Sequence, residues 1–182
     1  MPKPLKTNRL LLRAFTPSDA PALYAYASDP RVGPMAGWKP HESVEESARM
    51  IEHFIRTDEV WAIVEQETGA LIGSIGLHSS QKEGVHYDAE LGYVLAAPYW
   101  GRGLMAEAAG RVMQAAFEEL GMQSLCVSHF DGNTQSKRMI EKCGFHFFKQ
   151  LEDSFERYDG KKLGENVYLL TKEQYESQKI SD

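Results

Sequence analysis

Gly101-Arg102-Gly103, followed at once by the apolar-periodic run 105–120, is the stretch of this chain whose residue types can do chemistry. Two glycines let a turn present backbone N–H groups without Cβ crowding, and a helix start adds unpaired amides and the positive end of its dipole. That combination binds a diphosphate. No Lys-Ser or Lys-Thr follows the glycines, Leu104 standing in that place, and no three-glycine fingerprint precedes the helix. The diphosphate of ATP or NAD is therefore disfavoured, and a nucleotide hydrolase is set aside. Cys126 and Cys143 stand 17 residues apart and the six histidines are scattered, so neither a metal site nor a redox pair is expected.

The turn needs a strand before it and a helix after it. Residues 88–95 read as the strand, and Met105, Ala109, Val112, Ala116 and Leu120 fall on one helical stripe that Gly121 ends. Upstream, residues 8–13 read as a first strand. Thr16-Pro17-Ser18-Asp19 then starts a helix that Asp29-Pro30 stops near Ser28, and Tyr24 and Tyr26 on it cannot both face one core. Ser43-Val44-Glu45-Glu46 is a capping box for a second helix that buries Val44, Ala48, Ile51 and Ile55. Residues 60–64 and 71–77 flank Glu67-Thr68-Gly69 as a β-hairpin, and 81–86 form a polar loop before the strand at 88–95. Downstream, 124–129 read as a fifth strand, Asp131-Gly132-Asn133 caps a helix over 134–142, and Gly144 ends it before a sixth strand at 146–148. Asp159-Gly160 joins 155–158 to 166–170 as a terminal hairpin.

A length of 182 residues suits one domain, 1–182, with a core of its own. The formal net charge of −6, from 26 acidic and 20 basic residues with no block of one sign, lacks the footprint of a nucleic-acid binder and favours cationic partners, amines among them. The N-terminal Met1-Pro2-Lys3-Pro4 has no apolar leader, and no run approaches the roughly 18 apolar residues of a membrane span, so a cytoplasmic protein with no membrane partner is expected.

A second pattern lies downstream: Asn133-x-x-Ser136, then Lys142-Cys143-Gly144-Phe145. Together with Trp100-Gly101-Arg102-Gly103 it resembles the two signatures of the RimJ/RimL-type, ribosomal-protein N-acetyltransferase-like branch of the GNAT acyl-CoA N-acyltransferase superfamily. The resemblance extends over residues 7–175. Trp100 stands where the superfamily usually has Gln or Arg, and Met105 where it has Gly or Ala. The implied fold is α+β in three layers: a mixed, mostly antiparallel sheet of six to seven strands, the fourth and fifth splayed apart, flanked by about four helices.

The resemblance implies acetyl-CoA as co-substrate, no metal, and direct transfer of the acetyl group to an amine acceptor, a protein N-terminus or a small amine. A homodimer is compatible with it, and so is the rival reading of a coenzyme-A-binding module without turnover. It puts the cofactor against Tyr93, Val94, Leu95, Trp100, Gly101, Arg102, Gly103, Leu104, Met105, Ala106, Asn133 and Ser136, with the thioester carbonyl meeting a backbone N–H near Val94. Glu90 is a candidate base, or else a paired strand carboxylate, and Glu156 competes with it. Ser136 is a candidate acid for the departing thiolate, or else satisfies local backbone. Asn133 caps its helix in either case. Trp38 is a wall of the acceptor pocket or a loop anchor. An α-amine with a pKa of about 8 needs less help from a base than a lysine amine near 10.4.

Overall fold

Strand-forming runs at eight places build one open sheet in the computed structural model, which describes residues 3–181. The strands are β1 (Leu5–Lys6), β2 (Leu10–Ala14), β3 (Val60–Glu65), β4 (Leu71–His78), β5 (Ala89–Leu95), β6 (Ser124–Phe130), β7 (His146–Glu156) and β8 (Lys162–Thr171). Their order across the sheet is β1-β2-β3-β4-β5-β6-β8-β7, and only β5 and β6 run parallel. The eight strands differ from the expected six to seven in two ways: β1, Leu5–Lys6, is added because it is too short to show a period in the sequence, and the expected sixth strand and first arm of the terminal hairpin are one strand, β7. That strand is interrupted between Leu151 and Phe155, where Asp153 takes a left-handed φ of 46°.

Helices α1 (Ala20–Ala27) and α2 (Val44–Thr57) cover one face; α3 (Leu104–Gln114) and α4 (Thr134–Lys142) cover the other. Asp19 opens α1 by accepting from the Thr16 amide at 2.8 Å and pairing with Arg13. Tyr26 is buried and Tyr24 is not. Apolar side chains of the sheet meet Val112, Ala116 and Phe117 on the α3 side and Leu23, Ala27 and Ile51 on the α1/α2 side. A fifth helix, α5 (Lys172–Ser181), was not expected. It stacks Tyr175 on Phe117 with ring centroids 4.8 Å apart, and Thr171 and Gln174 exchange the two hydrogen bonds of a capping box at its start.

The junction between β5 and β6 shapes the site. These strands pair only at Ala89–Leu125 and Glu90–Cys126; beyond those rungs β5 stays on β4 as far as Leu95 and β6 stays on β8 as far as Phe130. The two strands expected to splay do so, and a gap opens through the sheet. Gly73 on β4 holds the far end of β5 close: a Cβ built there would overlap the carbonyl oxygen of Val94 and press on the Leu95 backbone. Replacing Gly73 with Ala must push β5 outward. We expect Gly73→Ala to lose about 1–3 kcal/mol, the usual cost of overpacking, read as a fall of several degrees in thermal unfolding. An unchanged midpoint would show that the strand is not held by this contact.

Candidate active site

Gly101 and Gly103 have φ of 74° and 73°, the left-handed conformation that the turn requires and that a side chain disfavours. Trp100 does not offer its amide to a ligand. That N–H donates to the Ala97 carbonyl, and its indole N–H donates to the carbonyl of Leu95 at 2.7 Å, tying the turn to the end of β5. The amides from Gly101 to Ala106 have no acceptor among the described residues, so six consecutive N–H groups end at the N-terminus of α3. Glu107 fixes that end of the helix by accepting from Thr7 Oγ1 at 2.6 Å, the Arg9 amide at 2.9 Å and Arg9 Nε at 2.7 Å.

The turn opens into a cleft of about 1610 Å³ that follows the gap between β5 and β6. Of the residues singled out from sequence, Trp38, Glu90, Tyr93, Val94, Leu95, Trp100, Gly101, Gly103, Leu104, Met105, Ala106, Asn133 and Ser136 line it. Arg102 and Glu156 do not. The Arg102 guanidinium is 2.8 Å from Glu65, a carboxylate on β3 that is 6% exposed, and lies over the Tyr99 ring. A buried carboxylate without that cation would be costly, which explains where the arginine goes. Glu156 is exposed because its neighbour Phe155 turns inward against Phe130, and alternate residues of a strand point to opposite faces.

A family model described as an acetyltransferase (GNAT) domain matches residues 9–146. The chain belongs to the GNAT acetyltransferase family. The uncharacterized N-acetyltransferase YoaA of Bacillus subtilis is 32% identical over 176 residues, covering 92% of this chain and 96% of that one. A crystal structure of a GNAT-family acetyltransferase from Bacillus anthracis superposes with a TM-score of 0.83 at 22% identity, over 94% of this chain and 99% of that one. The ribosomal-protein-S5-alanine acetyltransferase of Vibrio fischeri has the same fold, with a TM-score of 0.73 at 16% identity over 93% and 97%. The protein is thus an acyl-CoA-dependent N-acetyltransferase, and the GNAT fold implies acetyl-CoA as co-substrate and an amine as acceptor. Six unpaired amides at one end of a gap through the sheet fit a ligand with a diphosphate at the end of a long, narrow arm. Among the described residues, no helix is long and apolar enough to cross a membrane, and no three His, Cys, Asp or Glu side chains are grouped to hold a metal.

Within this GNAT cleft the two faces of β5 differ. On the α3/α4 side, the Tyr93 hydroxyl is 2.6 Å from Ser136 Oγ, and Ser136 donates its amide to the Asn133 side chain at 3.1 Å. Burial pushes the Tyr93 phenol well above its ordinary range, so it remains a neutral hydroxyl. Asn133 also reaches across to the Met35 carbonyl at 3.3 Å, so a helix cap and a bridge over the cleft are one residue. Trp38 packs on the α1/α2 core, tilts against His41 at 5.3 Å, and lines the cleft.

On the α1/α2 side, Glu90 accepts from Ser80 at 2.5 Å and Ser128 at 3.1 Å and pairs with Lys82 at 3.1 Å. Lys82 also meets Glu165 at 2.5 Å. Lys82 and Glu165 carry no motif, and sequence reading passed over both. The amide near which the thioester was expected needs a correction. Ala96 donates its N–H to Ile72 on β4, and the regular β4–β5 register places Val94 on the same side, so its amide faces β4. The amides of Tyr93 and Leu95 face the gap. Burial raises the thiol of Cys126 to about 12 and that of Cys143 to about 11, which removes both as nucleophiles near neutral pH.

Putting a side chain on Gly103 tests the turn. Forcing a residue with Cβ into φ near +73° costs about 1–2 kcal/mol, and about 1.4 kcal/mol is a tenfold change in affinity. Gly103→Val is expected to weaken coenzyme A binding roughly tenfold by calorimetry; unchanged affinity would place the diphosphate elsewhere.

Proposed function

We propose that this GNAT enzyme moves the acetyl group of acetyl-CoA directly onto a primary α-amine, in the first place a protein N-terminus, of the kind handled by the RimJ/RimL-type branch. The observation that carries this reading is the state of Glu90. Its carboxylate already accepts from two hydroxyls and an ammonium, so its oxygens are engaged within the protein rather than turned to an acceptor. With Glu90 engaged in that way, the site suits an amine that is already partly neutral near pH 7, whose last proton a weak base can take. An α-amine with a pKa of about 8 meets that condition, whereas a lysine amine near 10.4 is neutral only about once in a few thousand.

The assigned roles follow from placement. The amides from Gly101 to Ala106 hold the diphosphate, and the gap takes the arm that carries the thioester. A gap-facing amide, Tyr93 or Leu95, meets the carbonyl oxygen as charge develops on it. The acceptor nitrogen bonds to the acetyl carbon as the carbon–sulfur bond breaks, and the Ser136–Tyr93 hydroxyl pair returns a proton to the thiolate. Glu90, with Glu165, contributes negative charge that draws the cationic form of the amine toward the gap. Trp38 and Asn133 border the acceptor's entrance. Holding both reactants in one geometry supplies most of the rate.

Release of coenzyme A thiol in the presence of an amine panel tests this. Peptides with free N-termini are expected to exceed lysine side chains of N-blocked peptides in kcat/KM by on the order of 100-fold, the ratio of their neutral fractions. Equal turnover of lysine or a polyamine would overturn the α-amine assignment. Direct transfer has its own check. With acetyl-CoA alone, intact mass should show no acetylated protein, because both thiols are held well above neutrality; a gain of one acetyl group on Cys126 or Cys143 would replace this mechanism with a covalent one.

A further inference from the structure

On the acceptor side of β5 one position carries no side chain. Gly92 lies between Glu90 and Val94 on the same face, and its cross-strand partner on β4 is also a glycine, Gly76. Two facing glycines leave a shallow cradle in the floor of the cleft. His78, the last residue of β4, folds its imidazole into it: a Cβ on Gly92 would be 2.8 Å from both Nε2 and Cδ2 of His78, and one on Gly76 would be 3.1 Å from Nε2. The ring therefore lies over β5 one residue from Tyr93, whose amide faces the gap.

The other ring nitrogen faces a carboxylate. His78 Nδ1 is 3.6 Å from Glu59 Oε2, and Glu59 is held in turn by the Ser79 amide at 3.2 Å and the Ser79 hydroxyl at 2.8 Å. Partial burial alone would raise the Glu59 carboxyl, but the Ser79 bonds and the facing imidazole outweigh it and hold the group below its usual range, so it stays an anion. No protein atom among the described residues hydrogen-bonds Nε2. The side chain is 39% exposed and lines the cleft, within reach of an acceptor. The charged groups around it are Glu59 before β3, and Glu90 on β5 with Lys82 and Glu165 behind it; Tyr26 of α1 also lines this side.

We propose that His78 is the general base of the transfer, with Glu59 as its positioning residue. As the acceptor nitrogen bonds to the acetyl carbon and the carbon–sulfur bond breaks, the surplus N–H proton passes to His78 Nε2, and the thiolate takes its proton from the Ser136–Tyr93 pair, which regains one from solvent water. Protonated His78 then releases its proton to solvent at the open side of the cleft. The inference rests on amine acetyl transfer in this cleft and names the proton acceptor that Glu90 is too committed to be. It accounts for the glycine at 92, where the imidazole atoms are the nearest neighbours; Gly76 is required as well by the Glu59 carbonyl, which a Cβ there would approach to 2.7 Å.

His78→Gln and His78→Ala, assayed with the best peptide acceptor of the panel, test it. Both should lower kcat by about 100-fold, the lower end of general-base effects, while the Kd for acetyl-CoA stays within a factor of two of the parent. Ala empties the cradle and Gln still fills it. Added imidazole should thus restore a large part of kcat to His78→Ala, rising with the neutral fraction of the imidazole, and leave His78→Gln unimproved. Glu59→Gln should give an intermediate loss. A His78→Gln enzyme within threefold of the parent kcat would overturn the assignment, as would a His78→Ala enzyme that imidazole does not improve at any concentration. A parent enzyme that acetylates no amine would instead sink the acetyl-transfer reading on which this one rests.

Discussion

Two neighbouring strands that share only two rungs set the architecture of this site. Past Glu90 and Cys126, β5 and β6 lose each other while each keeps its outer partner. The sheet therefore stays continuous on both sides of an opening, and the opening has polar walls: strand edges there carry backbone groups that must find partners. One is taken by the protein itself, the Leu95 carbonyl by the Trp100 indole. The amides of Tyr93 and Leu95 remain for a ligand. Because β5 ends at this point, the turn and the free N-terminus of α3 follow it, and their six unpaired amides fall at the mouth of the same opening.

Much of this was legible in the sequence, and what was not has specific causes. The glycine turn, its helix and the Asn133–Ser136 cap announce themselves through backbone requirements that few residues satisfy. The start of α5 was equally readable, as Thr171-x-x-Gln174, and was missed because the helix behind it is polar on most sides. A cation beside a phosphate turn invites use of the Arg102 guanidinium there. Only the pairing of β2 with β3 brings Glu65 beside the turn, and that buried carboxylate takes the arginine first. Glu156 lies outside the cleft by parity: an interruption in β7 shifts which residues face in, and the interruption carries no local signal. His78 was invisible for another reason. Gly76 and Gly92 become a cradle only once β4 and β5 are in register.

The polar cluster around Glu90 shows why a carboxylate in a cleft is not automatically a base. Glu90 and Glu165 share one lysine and one serine, Ser128, which is 3.1 Å from each. Despite its burial, Lys82 is held well above its ordinary range by the two carboxylates, so it stays an ammonium between them. Each acid has its partners, and taking any one away would strand a partly buried charge. Such a network pins the loop of 79–88 against β5 and β8 and lends the cleft a field. That field attracts an ammonium, and proton acceptance is left to a group whose lone pair is open.

The period of a strand then divides the labour. Leu91, Tyr93 and Leu95 face α3 and α4, where the Tyr93 and Ser136 hydroxyls meet; Glu90, Gly92 and Val94 face α1 and α2, the side proposed for the acceptor. A thioester held in the gap has its leaving sulfur toward one side and its exposed carbonyl face toward the other. Donor and acceptor of protons need to be on opposite sides of the reacting carbon, and alternation along five residues of one strand delivers that without any loop having to place them. The register that makes Gly92 meet Gly76 also fixes which face holds the base. A slip of one residue would exchange the two faces and put the hydroxyl pair and the imidazole on the wrong sides together.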